Sequence, residues 1–247
     1  MIQVLPSLDG HPGVQYSMGT DHAAVGDHSI EYNLNSQGYR CCEFTEDVFD
    51  SNWLVGCSYA QGTGVSEHDS LAGALSRVVQ EPVLNLAQGG TGIRWACDQI
   101  VTLVNQGLRP RRLAVVWADP QRWPWVGSQG PLQPQLSADL WRAHTACDEY
   151  MINRARLDIT SLRVLARAMD FPLAEITWSQ HTRLSVCLPQ DCRREEHLFH
   201  YPERDRARDL QHPGARSHSL AAEKIQRQWQ RWQHRRDKTR KIHAREF

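Results

Sequence analysis

The chain has 247 residues, with 28 Lys and Arg against 28 Asp and Glu, so net charge gives no sign of a nucleic-acid partner. An apolar fraction of 40% is enough for a real core, in one large domain or two small ones. No apolar run could span a bilayer, and the start, MIQVLPSLDGHPG, lacks a basic segment followed by a long apolar one, so we expect cytoplasmic synthesis without a signal peptide. Seven cysteines, two of them adjacent at Cys41 and Cys42, do not resemble a disulfide framework; reduced, mostly buried thiols are expected.

Ser29 to Arg40 alternates, with Ile30, Tyr32 and Leu34 on one face, and ends in the turn residues Asn35-Ser36-Gln37-Gly38. This reads as a hairpin or edge strand in an N-terminal extension over 1–50. Trp53-Leu54-Val55 is a short apolar strand running into Gly56-Cys57-Ser58. Ser66, with Asp69 three residues on, is a candidate helix cap before the helically spaced Leu71, Leu75, Val78 and Val79. A second strand, within Pro82–Gly92, ends in Gly89-Gly90, and a helix from Ile93 to Gln106 stops at Gly107.

Leu113 to Trp117 is a continuous apolar run, the mark of a strand buried on both faces, and Asp119 follows it. A loop rich in Trp, Pro, Gly and Gln covers 121–135, a long helical region runs from Ser137 to about Met169, and Pro172–Trp178 is a fourth strand. The polar stretch 179–208 reads as a long loop, and Ser217–Phe247 as a basic helix. Alternating strands and helices predict a parallel α/β sheet with its ligand site beyond the carboxyl ends of the strands. There Gly56-Cys57-Ser58, Gly89-Gly90 and Asp119 would share one crevice.

A serine becomes a nucleophile only with a base, and the base needs an orienting acid. Asp209 and His212, three apart in DLQHPG, can bring a carboxylate to an imidazole within one turn. The other reading of Ser58 is a turn serine, that of His212 a loop-capping histidine, and Gly89-Gly90 would serve a tight turn under either. Cys57 would point to the opposite face from Ser58 on an extended strand, which argues against a thiol nucleophile.

The order of Gly-x-Ser at the first strand, Asn85-x-x-x-x-Gly90 at the second and Asp209-x-x-His212-Pro near the end resembles the SGNH (GDSL) hydrolase superfamily, over roughly Tyr32 to the start of the last helix. EYNLNSQGYR followed by GCSYAQGTGV is similar to a divergent branch often encoded by phages. The resemblance implies a three-layer α/β/α sandwich on a central parallel sheet, flavodoxin-like, spanning 51–228, with a basic helical tail over 229–247. It implies Ser58 as nucleophile, His212 as base, Asp209 as its partner, and an oxyanion hole from the N–H groups of Ser58 and Gly90. A third donor, usually Asn, is replaced by Asp119, and an ionised carboxylate cannot donate. Cys57 stands where the family usually has Asp.

The activity so implied is ester hydrolysis through an acyl-enzyme, with O-acetyl groups on a carbohydrate as the preferred substrate and no cofactor. Trp117, Trp123 and Trp125 would offer faces to a sugar ring or acyl group, unless buried indoles simply anchor the loop. The rival expectation is a non-catalytic carbohydrate-binding or structural protein on the same fold, as a homo-oligomer or part of a phage particle. GCSYAQGTG lacks the Lys-Ser/Thr of a phosphate loop. Cys187, Cys192, His197 and His200 could reach one zinc ion, although a polar surface loop is the simpler reading. Ile225, Trp229 and Trp232 keep helical spacing and would dock the last helix, leaving a basic face open to an acidic partner.

Overall fold

In a computed structural model, the described residues are 2–5, 16–18, 30–120, 122, 125–127, 130–132, 148–179 and 198–243. Five strands form the main sheet: β3 (Asn52–Gly56), β4 (Val83–Asn85), β5 (Arg112–Trp117), β8 (Leu173–Thr177) and β9 (Leu198–His200). Their order is β4-β3-β5-β8-β9 and every pair is parallel. The first strand of the set thus lies between the second and third, the order of flavodoxin-like doubly wound sheets. Two short antiparallel pairs stand apart: β1 (Tyr16–Met18) with β2 (Ile30–Tyr32), and β6 (Trp125–Gly127) with β7 (Gly130–Leu132).

The period-two alternation of the central strands separates two apolar layers. Trp53, Val55, Leu113, Val115 and Trp117 face α3 (Ile93–Asn105) and α4 (Asp148–Ala168), meeting Ile100, Leu103, Ile159 and Leu162. Leu54, Ala114, Val116, Ala174 and Ile176 face α2 (Leu71–Val79) and α5 (Ala215–His243), meeting Leu71, Leu75, Ala221 and Ile225. The result is the expected three-layer α/β/α sandwich. Both faces of β3 and β5 are covered, which explains why these strands read as unbroken apolar runs.

Several local expectations change. Ser70, not Ser66, caps α2: its Oγ accepts from the Gly73 N–H, while Ser66 bonds Asp69 in the preceding turn. The turn at Asn35 forms, with the Gly38 N–H on the Asn35 carbonyl, but β2 pairs with β1 upstream of it. The stretch 179–208, expected as loop, contains β9, too short to show a periodicity. Of the helical region expected from Ser137, the described part is α4.

The domain limits also move. Tyr39 and Phe49 lie fully buried in the core with Trp53, so residues 30–50 belong to the sandwich. Helix α5 runs without a break through 228–229, and Trp229 is buried with its indole N–H on the Leu113 carbonyl. The side chain of Gln228 clasps the backbone N–H and carbonyl of Glu175 on β8. The helix start therefore closes the sandwich, and its basic end continues from it. No helix among the described residues is long and apolar enough to cross a membrane.

Candidate active site

Ser58 opens the four-residue helix α1 (Ser58–Gln61) directly beyond β3, with Cys57 as the extended residue between them. Gly56 makes this turn possible. Its φ is +145°, and a Cβ there would stand 2.5 Å from the Val116 carbonyl oxygen of the neighbouring strand. Any side chain would push β3 off β5 just where Ser58 leaves the sheet.

The second half of the site comes from the loop before α5. His212 Nε2 is 2.9 Å from Ser58 Oγ, and His212 Nδ1 is 2.5 Å from Asp209 Oδ2. Asp209 Oδ1 accepts the backbone N–H groups of Gln211 and His212, which fixes the carboxylate relative to the ring. Burial raises the Asp209 carboxyl; the two N–H groups and the imidazole outweigh that and hold it below the usual carboxylate range. An ionised acid on Nδ1 keeps the proton there and leaves Nε2 as the acceptor facing the serine hydroxyl.

The loop that carries Asp209 rests on the segment after α1. The Arg208 N–H donates to the Gly64 carbonyl, and the Gly64 N–H donates to the Tyr32 hydroxyl. A Cβ on Gly64 would meet Ala207 Cβ at 2.7 Å and Asp209 Cγ at 3.0 Å. Arg40, buried, donates to the carbonyls of Gly62 and Val65 and lies over the Tyr32 ring at 4.1 Å. None of these supports announces itself by spacing. The glycines of AQGTG were visible; their partners 32, 40 and 208 were not.

Gly90 is exposed with φ +73°, at the start of the turn leading to α3. The N–H of Ser58 lies in the first turn of α1, where a helix has no internal acceptor to offer. Asn85 donates weakly to the Gln61 carbonyl and accepts the Ala87 N–H, tying the end of β4 to α1. Asp119 Oδ2 accepts the Ser179 hydroxyl at 2.6 Å, so the carboxylate at the third strand end is engaged as an acceptor.

An aromatic wall not foreseen from sequence stands beside the pair. Tyr59 stacks on Trp178 at 5.3 Å and meets the His212 ring edge-to-face at 5.7 Å, while its hydroxyl bonds Glu203 at 3.1 Å. Burial, with Glu203 adding to it, pushes the Tyr59 hydroxyl up to about 12, so it stays a donor. The Trp178 indole N–H donates to the Cys57 sulfur, and Tyr201, fully enclosed, bonds His218 Nδ1 at 2.6 Å. Trp178 sits just past the carboxyl end of β8, and the strand-end rule that marked Ser58 marks it equally.

Trp117 corrects the sequence expectation. It is fully buried and its indole N–H donates to Glu175 Oε1 at 2.9 Å, so it serves the core and no substrate. Trp123 lies outside the described residues, as do Cys187, Cys192 and His197; of Trp125 the backbone is described, in β6. His200 Nδ1 pairs with the Tyr201 carbonyl, and no cluster of metal-ligating side chains occurs among the described residues.

No family model and no curated protein matches the chain. Solved structures of similar shape include a lipolytic protein of the G-D-S-L family from Desulfitobacterium hafniense DCB-2, at 11% identity and a TM-score of 0.47, over 72% of this chain and 99% of that one. A structure named TesA aligns at 11% identity and 0.48, over 74% and 99%. A family two carbohydrate esterase from Clostridium thermocellum, in complex with cellohexaose, aligns at 15% and 0.43, over 71% of this chain and 62% of its own.

Proposed function

We propose that the chain is a serine ester hydrolase of SGNH type. The observation that carries this is the continuous line from Ser58 Oγ through the His212 ring to Asp209, at 2.9 and 2.5 Å, at the carboxyl edge of a parallel sheet. A turn serine has no need of an imidazole whose other nitrogen is held by an ionised acid.

In the first step His212 Nε2 takes the Ser58 hydroxyl proton as Oγ attacks the ester carbonyl. Asp209 keeps the ring oriented and stabilises the imidazolium. The N–H groups of Ser58 and Gly90 are the candidates to receive the oxyanion. His212 then gives its proton to the leaving alcohol, and the acyl group stays on Ser58. In the second step His212 deprotonates a water, which attacks the acyl-enzyme; the ester bond to Ser58 Oγ breaks, the acid leaves, and His212 returns the proton to Oγ. These steps use side chains and peptide N–H groups alone.

The preferred substrate is an O-acetyl group on a carbohydrate. The partly exposed rings of Tyr59, which meets His212, and of Trp178 support this, because aromatic rings with a polar tip suit sugars. Asp119 favours a slower enzyme than one with an amide at this strand end, since losing one oxyanion donor costs about 100- to 1,000-fold.

The test is hydrolysis of a chromogenic acetate ester, with Ser58→Ala and His212→Ala as controls. Turnover that disappears in both variants, with a serine-directed phosphonate attached to Ser58, is the expected result. Equal rates in all three proteins, or no attachment of the phosphonate, would leave a binding protein on this fold as the better reading.

A further inference from the structure

A cleft of about 280 Å³ opens between the start of α3, the segment after β5 and the start of α4. Three guanidinium groups line it, Arg94, Arg122 and Arg154, against a single carboxylate, Asp158. Asp158 is buried and shared: Arg94 Nη1 lies 3.2 Å and Arg154 Nε 3.4 Å from its oxygens. Arg122 has no carboxylate partner among the described residues, and its Nη1 is shut off from solvent with no hydrogen-bond partner. A buried guanidinium nitrogen without a hydrogen-bond partner is costly, and the cost falls when a ligand acceptor reaches it. The first turn of α3, which also borders the cleft, contains no acidic residue and adds the positive end of a 13-residue helix.

Arg122 joins this cleft to the Ser58 site. Its guanidinium lies 5.0 Å from the Trp178 ring, and Trp178 lies 5.3 Å from Tyr59, the residue after Ser58. Two successive ring-stacking steps therefore separate the reacting serine from the free cation. With two aromatic rings between them, the cation suits a charged group on a neighbouring ring of the same glycan better than a substituent on a two-carbon acyl group.

We infer that the cleft binds a carboxylate carried by the substrate's sugar chain, so that the protein acts on esters of acidic, uronate-type polysaccharides. Arg122 makes the specific contact, its guanidinium lying over the Trp178 ring at 5.0 Å. Arg94 is also paired with Asp98 at 2.8 Å, so Arg94 and Arg154 are offset by Asp98 and Asp158 and add donors, while Arg122 brings the charge without a carboxylate partner among the described residues. The inference rests on the reading of Ser58 as nucleophile for its turnover consequences, and on the cleft alone for its binding consequences.

Two measurements separate these. Calorimetric titration of Ser58→Ala protein with tetragalacturonate is expected to show binding that weakens about tenfold or more in Arg122→Gln, and also in the more peripheral Arg154→Gln. It should weaken again as ionic strength rises from about 0.02 to about 0.5 M. The fully methyl-esterified, uncharged tetramer should bind at least about tenfold more weakly. Equal binding of the two tetramers, no binding of either, or indifference to both substitutions would overturn the inference. In the active protein, kcat/KM for an acetylated uronate oligomer should exceed that for an acetylated neutral one, and the ratio should collapse in Arg122→Gln. Turnover of both esters without preference sinks the cleft's role and spares the hydrolase. Binding of the acidic tetramer with no turnover of any ester does the reverse.

Discussion

The indole N–H of Trp178 donates to the Sγ of Cys57 across 3.2 Å. The thiol next to the candidate nucleophile is thus turned away from His212 and 1% exposed, while Ser58 Oγ faces the imidazole. In the strand-to-helix turn the two neighbours divide their roles: Cys57 anchors the aromatic wall and Ser58 meets the base.

Substitution should separate those roles. Ser58→Ala is expected to remove at least about a thousandfold of ester turnover. Cys57→Ala should keep turnover within about tenfold of the parent and cost about 1–2 kcal/mol of stability, from a lost buried contact and an unpaired indole N–H. Steady-state kinetics and urea melts on both variants check this. Iodoacetamide on the native protein should modify the exposed Cys42 and leave Cys57 untouched. A Cys57→Ala protein as inactive as Ser58→Ala, yet as stable as the parent, would reverse the assignment.

The acid loop gives a second pair of outcomes. Asp209→Asn removes the charge that fixes the imidazole tautomer and should lower kcat by about three to four orders of magnitude, with a folded protein by circular dichroism. Gly64→Ala acts on the same residue from behind. Its φ of +82° is strained for alanine, and the new Cβ would meet Asp209 Cγ at 3.0 Å. We expect a stability loss of about 1–3 kcal/mol and a fall in kcat larger than the rise in KM, because the carboxylate is displaced while the substrate surfaces stay. A Gly64→Ala enzyme with unchanged kcat would show that the loop does not depend on this contact.

Asp119 stands at the end of β5, where a neutral donor would assist an oxyanion, and its Oδ2 accepts the Ser179 hydroxyl. Asp119→Asn preserves an acceptor for Ser179 and removes a negative charge from the strand end. Turnover of a neutral ester should rise at least about tenfold, toward the about 100- to 1,000-fold that a well-placed amide donor is worth. A fall of tenfold or more would assign the carboxylate a positive part in catalysis.

How much of this could be read from the chain depends on the range of each signal. The sandwich was accessible because buried parallel strands declare themselves as apolar runs such as Leu113 to Trp117, and because glycines end them. The Asp209–His212 spacing was local, so it carried through to a contact. Trp117 misled for the same reason that the strand was easy to see: a residue at the end of an apolar run is as readily in the core as at the site, and alternation with Leu113 and Val115 places it in the core. Tyr59, Arg40 and Tyr32 meet partners far along the chain, and no periodicity encodes such meetings. The short β9 was hidden in a polar stretch for want of length.

His218 offers a prediction about stability rather than turnover. It is fully buried beneath the site, with Nδ1 on the Tyr201 hydroxyl and Nε2 without a partner. Burial, against the pull of Asp205, pushes its imidazole down to about 4 from the usual 6.5. Between those two values the unfolded chain binds a proton that the folded chain refuses. The group therefore contributes stability that is present above about 6.5 and is lost as pH falls toward 4. From pH 7 to about 4.5 the loss should be on the order of 2 kcal/mol. In His218→Gln, which has no proton to gain, this part of the slope should vanish, whatever the variant loses at neutral pH. Urea unfolding at both pH values measures it, and parallel pH slopes in the two proteins would show that His218 already takes up its proton in the folded state.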